Sequence, residues 1–385
     1  MKILLVSMNS IHFVRWTQQL EDSGHEVYWF DILDGGKTAQ LPWAHQITGW
    51  KQKFPNLKGR HFLKKNLSYL YEKSKFLIEN DVAETFESIV QEIQPDLVHS
   101  FVLYLSCSPI LKVMKKHHNL PWLYSSWGSD LYYFKNIEKN KQDILNVLPR
   151  VNYLITDCKR DVAIAKDLGF NGKVLGTFPG GGGFNYTETD PYITPISERK
   201  TILVKGYQGR SGRAIEVLQA MLLIPEHMKN HHIIVFGADD EVENHIKDCG
   251  FSKTLSIETL SRKDFLPHIA ILKLMGAALI YIGNSNSDGM PNTLLEAIAM
   301  GAFPIQSNPG GASSEVVAHY ENGLLIEDFN DIEEIKSHIL TALNTSSLLE
   351  KAFKINQNKV KPQFERGLVK QHILDAYHSV MKKGE

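Results

Sequence analysis

The chain has 385 residues, with 42 Lys and Arg against 43 Asp and Glu, which gives a formal net charge of −1. A nearly neutral chain has no overall bias toward polyanions, and this length favours two domains over one. No apolar run is long enough to span a bilayer or to act as a signal peptide, and the three cysteines are scattered without metal-ligand spacing, so we expect a cytoplasmic protein.

Strand and helix patterns alternate along the first half of the chain. Short apolar runs bounded by turn residues predict strands at residues 2–6, 26–30, 96–100, 122–125, 152–156 and 173–178. Amphipathic patterns predict helices at residues 12–22, 82–93 and 109–116. This alternation is typical of a parallel sheet with helices on both faces. We therefore predict a doubly wound α/β domain over residues 1–185.

The segment 37–75 interrupts this alternation. It holds nine Lys or Arg and a single acid, Glu72, and it is rich in aromatic residues. Such a stretch fits peripheral contact with anionic lipid headgroups or with a phosphate-bearing acceptor. The alternative is a solvated helical excursion whose aromatic side chains pack inward. We expect no nucleic-acid partner, because no nucleic-acid-binding motif accompanies the basic residues.

A second alternating series follows a polar, proline-bearing linker at residues 187–196. Strands are predicted at residues 201–205, 232–236, 255–257, 277–282 and from 303, and helices at residues 214–221 and from 292. This series predicts a second α/β domain over residues 186–364. The tail has a helical pattern, and we expect residues 365–385 to return to the first domain. Two such domains are expected to face each other across a cleft.

The segment 287–301 carries the most specific pattern, because two carboxylates, Asp288 and Glu296, stand eight residues apart. A proline after Asp288 predicts a helix entrance, where free backbone N–H groups attract anions. The carboxylates suit neutral hydroxyls, so the segment suggests a site for a nucleotide sugar. The alternative is a surface acid before an ordinary amphipathic helix. Donor contacts are predicted for Gly289, Met290, Pro291, Asn292 and Thr293.

Two further segments of the second domain are polar loops that follow strands. The loop 204–213 contains glycines that let backbone approach a ligand closely, Gly206 and Gly209, and cations that suit a diphosphate. Lys205 and Arg210 are the predicted phosphate ligands, whereas Arg213 faces either the ligand, solvent or an acid. The loop lacks the P-loop and dinucleotide-binding glycine patterns, which disfavours an ATPase or a dehydrogenase. The loop 307–315 is predicted to lead into a helix.

Polar residues also follow two strands of the first domain. Ser10 and His12 come after the first strand, and Trp127, Ser129 and Asp130 come after a later one. Residues at these strand ends are candidates for binding an acceptor or the transferred sugar. The alternatives are that His12 is an ordinary residue of a helix N-terminus and that Asp130 is a helix cap.

Taken together, these residues resemble the glycosyltransferases of the GT-B fold, and within them family 4. The spacing from Asp288 to Glu296 is similar to the family's Glu-x7-Glu motif, and the resemblance covers nearly the whole chain. It implies two Rossmann-like domains that transfer a hexose, with retention at the anomeric carbon. The implied donor is a UDP or GDP sugar in the second domain. The implied acceptor is a glycan or lipid-linked glycan in the first domain, in cell-surface polysaccharide or glycoconjugate biosynthesis.

The resemblance also implies roles for individual residues. Lys205 and Arg210 would neutralise the departing diphosphate, Asp288 would hold hydroxyls of the donor sugar, and Glu296 would hold the ribose. A loop at Thr259 and Leu260 would contact the base. In the first domain, Asp130 would belong to the catalytic residues. No Asp-x-Asp triplet occurs, which agrees with a reaction that needs no metal and no cofactor.

Two departures from the family pattern bear on this interpretation. The first carboxylate is Asp288 instead of Glu, so its reach is one methylene shorter. Many relatives carry a His where this chain has Trp127, so that Ser129, Asp130 or His12 takes over its role or no residue does. The alternatives are another GT-B enzyme, such as a nucleotide-sugar epimerase or a sugar phosphorylase, and a non-catalytic GT-B-like protein that binds a glycan.

Overall fold

The computed structural model describes residues 1–54, 69, 71 and 76–381. Much of the basic, aromatic segment 37–75 therefore lies outside the described residues, and its contact with lipid or acceptor stays a prediction. The chain divides into two units. The first unit contains Met1–Asp157, Asp161–Gly181 and Ile373–Glu385, and the second unit contains Cys158–Arg160 and Gly182–His372.

The first unit is built on a seven-stranded sheet in which all neighbouring strands are parallel. The strand order is β3-β2-β1-β4-β5-β6-β7, which is the order of a doubly wound sheet. The central strands are apolar because both faces of such a sheet are covered. The strands are β1 (Lys2–Ser7), β2 (Glu26–Asp31), β3 (His45–Ile47), β4 (Leu97–Phe101), β5 (Trp122–Ser126), β6 (Tyr153–Thr156) and β7 (Lys173–Thr177).

Helices alternate with these strands. The N-terminus of α2 is capped by Asp81, whose carboxylate accepts hydrogen bonds from two backbone N–H groups of the first turn. The apolar face of α2, with Phe86 and Ile89, packs in one core with Leu4 and Val98 of the sheet. The helices are α1 (Ile11–Thr17), α2 (Val82–Ile93), α3 (Leu111–Lys116), α4 (Glu138–Val147) and α5 (Lys159–Asp167).

The second unit is built on a six-stranded parallel sheet in the order β12-β11-β8-β13-β14-β15. A short antiparallel hairpin, β9 with β10, follows the central strand β8. The strands are β8 (Thr201–Lys205), β9 (Gln208–Gly209), β10 (Gly212–Arg213), β11 (His232–Ala238), β12 (Ile257–Ser261), β13 (Ala278–Gly283), β14 (Phe303–Ser307) and β15 (Leu324–Ile326).

Both faces of this second sheet are covered by helices. Ile202 and Val204 of β8 pack in one core with α7 and α12, whereas Leu203, which points to the opposite face, packs with α10 and α11. The helices of the second unit are α6 (Tyr186–Thr189), α7 (Ala214–Leu222), α8 (Pro225–Met228), α9 (Asp240–Asp248), α10 (His268–Ala277), α11 (Asn292–Ala299), α12 (Ile332–Asn344) and α13 (Ser346–Ile355). The last helix, α14 (Arg366–Met381), begins in the second unit and belongs to the first unit from Ile373 onward. Among the described residues, no helix is both long and apolar enough to cross a membrane.

The predicted α/β class with two Rossmann-like parallel sheets is confirmed. Helix α11 ends at Ala299, Gly301 has a φ of +77°, which suits a glycine after a helix, and β14 begins two residues later. Two local predictions are wrong. The strand predicted at residues 255–257 runs from Ile257 to Ser261, and the loop 307–315 leads only into short 3₁₀ turns.

A chain of buried hydrogen bonds links the C-terminal helix α14 to the sheet of the first unit. Trp16 Nε1 donates to the Tyr377 hydroxyl at 3.2 Å, and this hydroxyl lies 2.6 Å from His99 Nδ1. His99 Nε2 lies 2.8 Å from Ser125 Oγ. Burial lowers the pKa of His99, so the ring is neutral. Each nitrogen of the neutral ring is therefore paired with a hydroxyl group, Nδ1 with Tyr377 and Nε2 with Ser125.

One buried cation, Arg199, connects the linker before β8 to the ends of two helices. Its guanidinium donates to the carbonyls of Thr194, Ala278 and Gly301, at distances between 2.6 and 3.1 Å. It also lies 5.6 Å from the ring centroid of Phe353. Burial lowers the pKa of Arg199 to about 10. Because each carbonyl is at the end of an element, one side chain satisfies groups that the helices and linker cannot satisfy themselves.

We expect Arg199→Met to reduce the free energy of unfolding by about 3 kcal/mol, because it leaves buried carbonyls without donors. Chemical denaturation measures this change. The matched control is Arg262→Met, which removes an exposed guanidinium paired with Asp239 and should cost less than about 1 kcal/mol. Equal losses in the two variants would contradict the role of Arg199.

Candidate functional site

The central strand of the second sheet ends at Lys205, and this end forms one side of the candidate site. Lys205 Nζ lies 3.9 Å from Asp288 Oδ2, with side-chain exposures of 10% and 22%. Nζ also lies 4.8 Å from the ring centroid of Tyr207. A separation of 3.9 Å is too long for a hydrogen bond, so the ammonium group retains its donors for an anionic ligand.

The β9–β10 hairpin brings Arg210 next to the same loop. Arg210 lies at the exposed tip of the hairpin, and its backbone carbonyl accepts a hydrogen bond from Ser287 N at 3.3 Å. At the base of the hairpin, Arg213 N donates to the carbonyl of Asn284 at 2.7 Å. These two backbone bonds join the predicted phosphate-binding loop to the segment that carries Asp288.

The side chain of Arg213 takes a different direction from the candidate site residues. Its guanidinium lies 3.6 Å from the carboxylate of Glu216 and 5.5 Å from the ring centroid of Phe329. Of the alternatives left open by the sequence, the structure therefore gives Arg213 an acidic partner.

The two glycines of this loop are required for different reasons. A side chain at Gly206 would bring a Cβ atom within 2.7 Å of the Cα atom of Ala238, so packing against β11 alone excludes any other residue. Gly209 has open space around it but a φ of +106°, which other residues rarely adopt. Close packing therefore requires a glycine at position 206, whereas the backbone conformation of the hairpin turn favours a glycine at position 209.

Helix α11 begins at the candidate site. Pro291 is its N-cap residue, and Asn292 and Thr293 form the first turn, where backbone N–H groups lack helical acceptors. Before the helix, Gly289 N donates to Asp288 Oδ1 at 3.0 Å. The side chain of Met290 is buried in a core cluster, so only the Met290 backbone is available to a ligand.

The second carboxylate of the motif, Glu296, lies within α11 and is almost completely buried. His268 Nε2, from the first residue of α10, lies 2.7 Å from Glu296 Oε1. His268 could not be found from the sequence, because it lies 28 residues from Glu296 and no local motif marks it.

A buried phenol connects the two carboxylates electrostatically. Tyr281 donates a hydrogen bond to Thr293 Oγ1 at 2.9 Å. Burial raises the pKa of Tyr281 well above its usual value, and the negative charges of Glu296 and Asp288 raise it further, while the bond to Thr293 opposes the shift. Tyr281 therefore remains a protonated donor that fixes the first turn of α11.

The predicted base-contacting residue Leu260 does not lie in a loop. It belongs to strand β12 and pairs with Phe236 of β11. Its side chain is partly buried against the core cluster that includes Leu272. Thr259 lies in the same strand, so the expectation of a loop at this position is wrong.

The predicted residues of the first unit fall into two groups. Ser10 caps α1 by accepting a hydrogen bond from Phe13 N at 3.2 Å. The ring centroids of Trp127 and Phe101 are 4.7 Å apart. The exposed ring of His12 meets Trp127 edge-on, with 6.4 Å between the ring centroids. His12 and Trp127 thus lie together at the carboxyl ends of β1 and β5.

Asp130 and Ser129, in contrast, are buried. Asp130 is 3% exposed, and its Oδ2 accepts hydrogen bonds from Leu103 N at 2.7 Å and from the Tyr124 hydroxyl. Ser129 is also buried, and its carbonyl accepts from Tyr133 N at 3.1 Å. The carboxylate of Asp130 therefore holds the turn that begins at Leu103, which is a capping role for a neighbouring segment.

Two family models match the chain. The model for group 1 glycosyl transferases matches residues 188–360, and the model for glycosyl transferase 4-like proteins matches residues 2–157. The two matches lie almost entirely in different units. No curated protein sequence matches the chain significantly.

Solved structures with a similar fold share little sequence with the chain. Sucrose-phosphate synthase from Thermosynechococcus elongatus has a TM-score of 0.73 at 16% identity, and the match covers 100% of each chain. HepE of Anabaena in complex with UDP has a TM-score of 0.69 at 13% identity, covering 98% of this chain and 100% of that one. The lipopolysaccharide outer core galactosyltransferase WaaB has a TM-score of 0.68 at 16% identity, covering 98% and 99%.

The structural role of Asp130 can be separated from its predicted catalytic role by two substitutions. We expect Asp130→Ala to reduce the free energy of unfolding by about 3 kcal/mol, because a buried N–H and a buried hydroxyl lose their acceptor. Asp130→Asn keeps an acceptor oxygen, so it should cost only about 1 kcal/mol. Denaturation measures both changes. If Asp130→Asn were as stable as the wild type but no longer released nucleoside diphosphate from a nucleotide sugar, the catalytic role would be favoured instead.

Proposed function

Because the chain belongs to the group 1, family 4-like glycosyltransferases of the GT-B fold, we propose that it transfers a hexose from a nucleotide-diphosphate sugar. In this proposal the second unit binds the donor and the first unit binds a glycan or lipid-linked acceptor. The anomeric configuration of the donor is retained. Transfer takes place in the cytoplasm, with peripheral membrane contact where the acceptor is lipid-linked.

The observation that carries the proposal is the approach of Lys205 to Asp288 beside the N-terminus of α11. A cation and free helix N–H groups suit a diphosphate. A carboxylate next to them cannot bind phosphate, but it accepts hydrogen bonds from sugar hydroxyls. Glu296 lies further along the same helix. The cation suits the diphosphate of a nucleotide sugar, the first carboxylate suits the sugar hydroxyls, and the second carboxylate suits the ribose hydroxyls.

The proposed chemistry follows from charge. Breaking the bond between the anomeric carbon and the donor phosphate oxygen leaves positive charge on the sugar and negative charge on the nucleoside diphosphate. Lys205, Arg210 and the N–H groups of α11 stabilise that leaving group. Because these groups supply the positive charge, we propose a reaction that requires neither a divalent metal nor a cofactor.

On the acceptor side, the proposal uses His12 and Trp127, whose rings lie together at the carboxyl edge of the first sheet. Aromatic faces pack against the apolar C–H faces of sugars, and an imidazole exchanges hydrogen bonds with hydroxyls. Ser10 and Ser129 contribute through the loops they stabilise. One structural neighbour, HepE, was solved in complex with UDP-glucose, which supports a nucleotide-sugar donor. Another, WaaB, is a lipopolysaccharide outer core galactosyltransferase, which supports a role in glycoconjugate biosynthesis.

We expect UDP or GDP to raise the melting temperature of the wild type, because a ligand of the folded state stabilises it by mass action. Lys205→Ala should lose this shift, since removal of one charge-assisted contact weakens binding about tenfold or more. A thermal-shift titration with UDP, GDP and their glucose, galactose and mannose derivatives measures both effects.

The matched control is Lys273→Ala. Lys273 lies on α10 and is also over a tyrosine ring in the second unit, at 4.6 Å from the centroid of Tyr192, but this tyrosine belongs to the linker before β8. Its removal should leave the shift unchanged. A wild type that responds to no nucleotide or nucleotide sugar would contradict the donor site and favour a non-catalytic, glycan-binding protein.

Asp288→Asn should separate sugar recognition from diphosphate binding. Loss of the charge 3.9 Å from Lys205 leaves the lysine more available to phosphate, so the affinity for free UDP or GDP should stay equal or increase. The rate of sugar transfer or donor hydrolysis should fall about tenfold to a hundredfold, because a charged acceptor for donor hydroxyls is lost. Calorimetry and release of nucleoside diphosphate measure the two effects. A weaker affinity for free diphosphate with an unchanged rate would refute this assignment.

A further inference from the structure

Glu296 is an unusual carboxylate, because it carries a charge inside the second unit and its side chain is only 6% exposed. Burial of a carboxylate is costly unless hydrogen bonds replace those it made to water. Among the described residues, the hydrogen bond to this carboxylate comes from His268 alone, and it reaches Oε1. The second oxygen, Oε2, thus keeps unused acceptor capacity.

His268 is well suited to hold this carboxylate in one orientation. It is the first residue of α10, so its backbone is fixed by a helix that packs against α11 in the same core. Its side chain is 38% exposed, so its ring lies at the border between the buried carboxylate and solvent. A carboxylate fixed through one oxygen presents the other oxygen in a defined direction.

The position of Glu296 along α11 defines which part of a ligand it meets. Glu296 is three residues after Thr293, and each helical residue advances the axis by about 1.5 Å, so its Cα lies roughly 5 Å beyond the first turn. In a nucleoside diphosphate, the ribose hydroxyls lie at a comparable distance from the phosphates. A ligand whose diphosphate binds at the first turn can therefore place vicinal hydroxyls at Glu296 Oε2.

We propose that His268 is a positioning residue that holds Glu296 Oε1 and leaves Oε2 to accept the ribose hydroxyls, which makes the donor site selective for ribonucleotides over deoxyribonucleotides. This inference rests on the proposed donor site in the second unit. It adds a residue from outside the motif, on a different helix, and it assigns the discrimination to the His268–Glu296 pair instead of to Glu296 alone.

The test compares wild type, His268→Leu and His268→Gln in calorimetric titrations with UDP, GDP and their 2′-deoxy and 3′-deoxy forms. The wild type should bind the ribonucleotide about tenfold more tightly than at least one of its deoxy forms, as expected for one hydrogen bond to a charged group. His268→Leu should bind the ribonucleotide about tenfold more weakly and the deoxy forms unchanged, so that the preference disappears. His268→Gln, which keeps an N–H donor of similar reach, should retain most of the preference.

The matched control is His232→Gln, because His232 Nε2 also pairs with a carboxylate of the second unit, at 3.3 Å from Glu258 Oε2, but on the exposed surface. It should leave the preference unchanged. Competition by inorganic pyrophosphate should stay within about twofold in all variants, which shows that the phosphate site is still folded.

The outcomes separate this inference from the proposed function. If the wild type binds neither UDP nor GDP, both are overturned. If the wild type binds and discriminates, but His268→Leu discriminates equally well, the proposed donor site stands and the role of His268 is overturned. Loss of the preference in His268→Leu together with loss of pyrophosphate competition would identify His268 as a residue that only maintains the fold, which also overturns the inference.

Discussion

The candidate donor site depends on the central position of strand β8 in the second sheet. Both faces of this strand are covered by helices, so polar residues can reach solvent only at its ends, and Lys205 lies at the carboxyl end. The neighbouring parallel strand β13 ends at the same edge and leads into the segment that carries Asp288. The approach of a lysine to a carboxylate at this edge is therefore a consequence of parallel pairing. The hairpin and helix α11 are arranged around that point.

The chemistry of the site follows from what surrounds each charge. Lys205 is largely buried between the ring of Tyr207 and the carboxylate of Asp288, so its charge acts in a medium that screens it less than water does. Glu296 is buried more deeply and is held by a single imidazole. One charge is thus poised for an anion and the other for hydroxyl groups. A ligand that contains both a diphosphate and vicinal hydroxyls satisfies the two demands together.

The sequence predicts the parts of this site that lie within one contiguous segment. The Asp288–Glu296 spacing and the entrance of α11 were predictable, because helix signals are local. The partner of Glu296 was not, because His268 comes from another helix. The buried environment of Asp130 was not predictable for a related reason. A polar residue after a strand can point toward solvent or into the core, and only the packing of Tyr124 and Leu103 decides which.

The two sheets were predictable from alternating apolar and polar segments, whereas one edge strand of each sheet was not. The edge strands β3 and β15 contain three residues each, which is too short for a period to appear. Helix α4 is mostly polar, with Ile144 and Val147 as its buried residues, so it gives a weak amphipathic signal. Leu260 was assigned to a loop through the family resemblance alone, whereas it lies in strand β12.

A crystal structure of the protein with UDP or GDP would test directly whether Lys205 and the N-terminus of α11 bind the diphosphate. We expect the diphosphate to lie within about 3 Å of Lys205 Nζ and of the N–H groups in the first turn of α11, with the ribose hydroxyls on Glu296. A nucleotide bound with its phosphates elsewhere, and with no contact to Lys205 or α11, would contradict it.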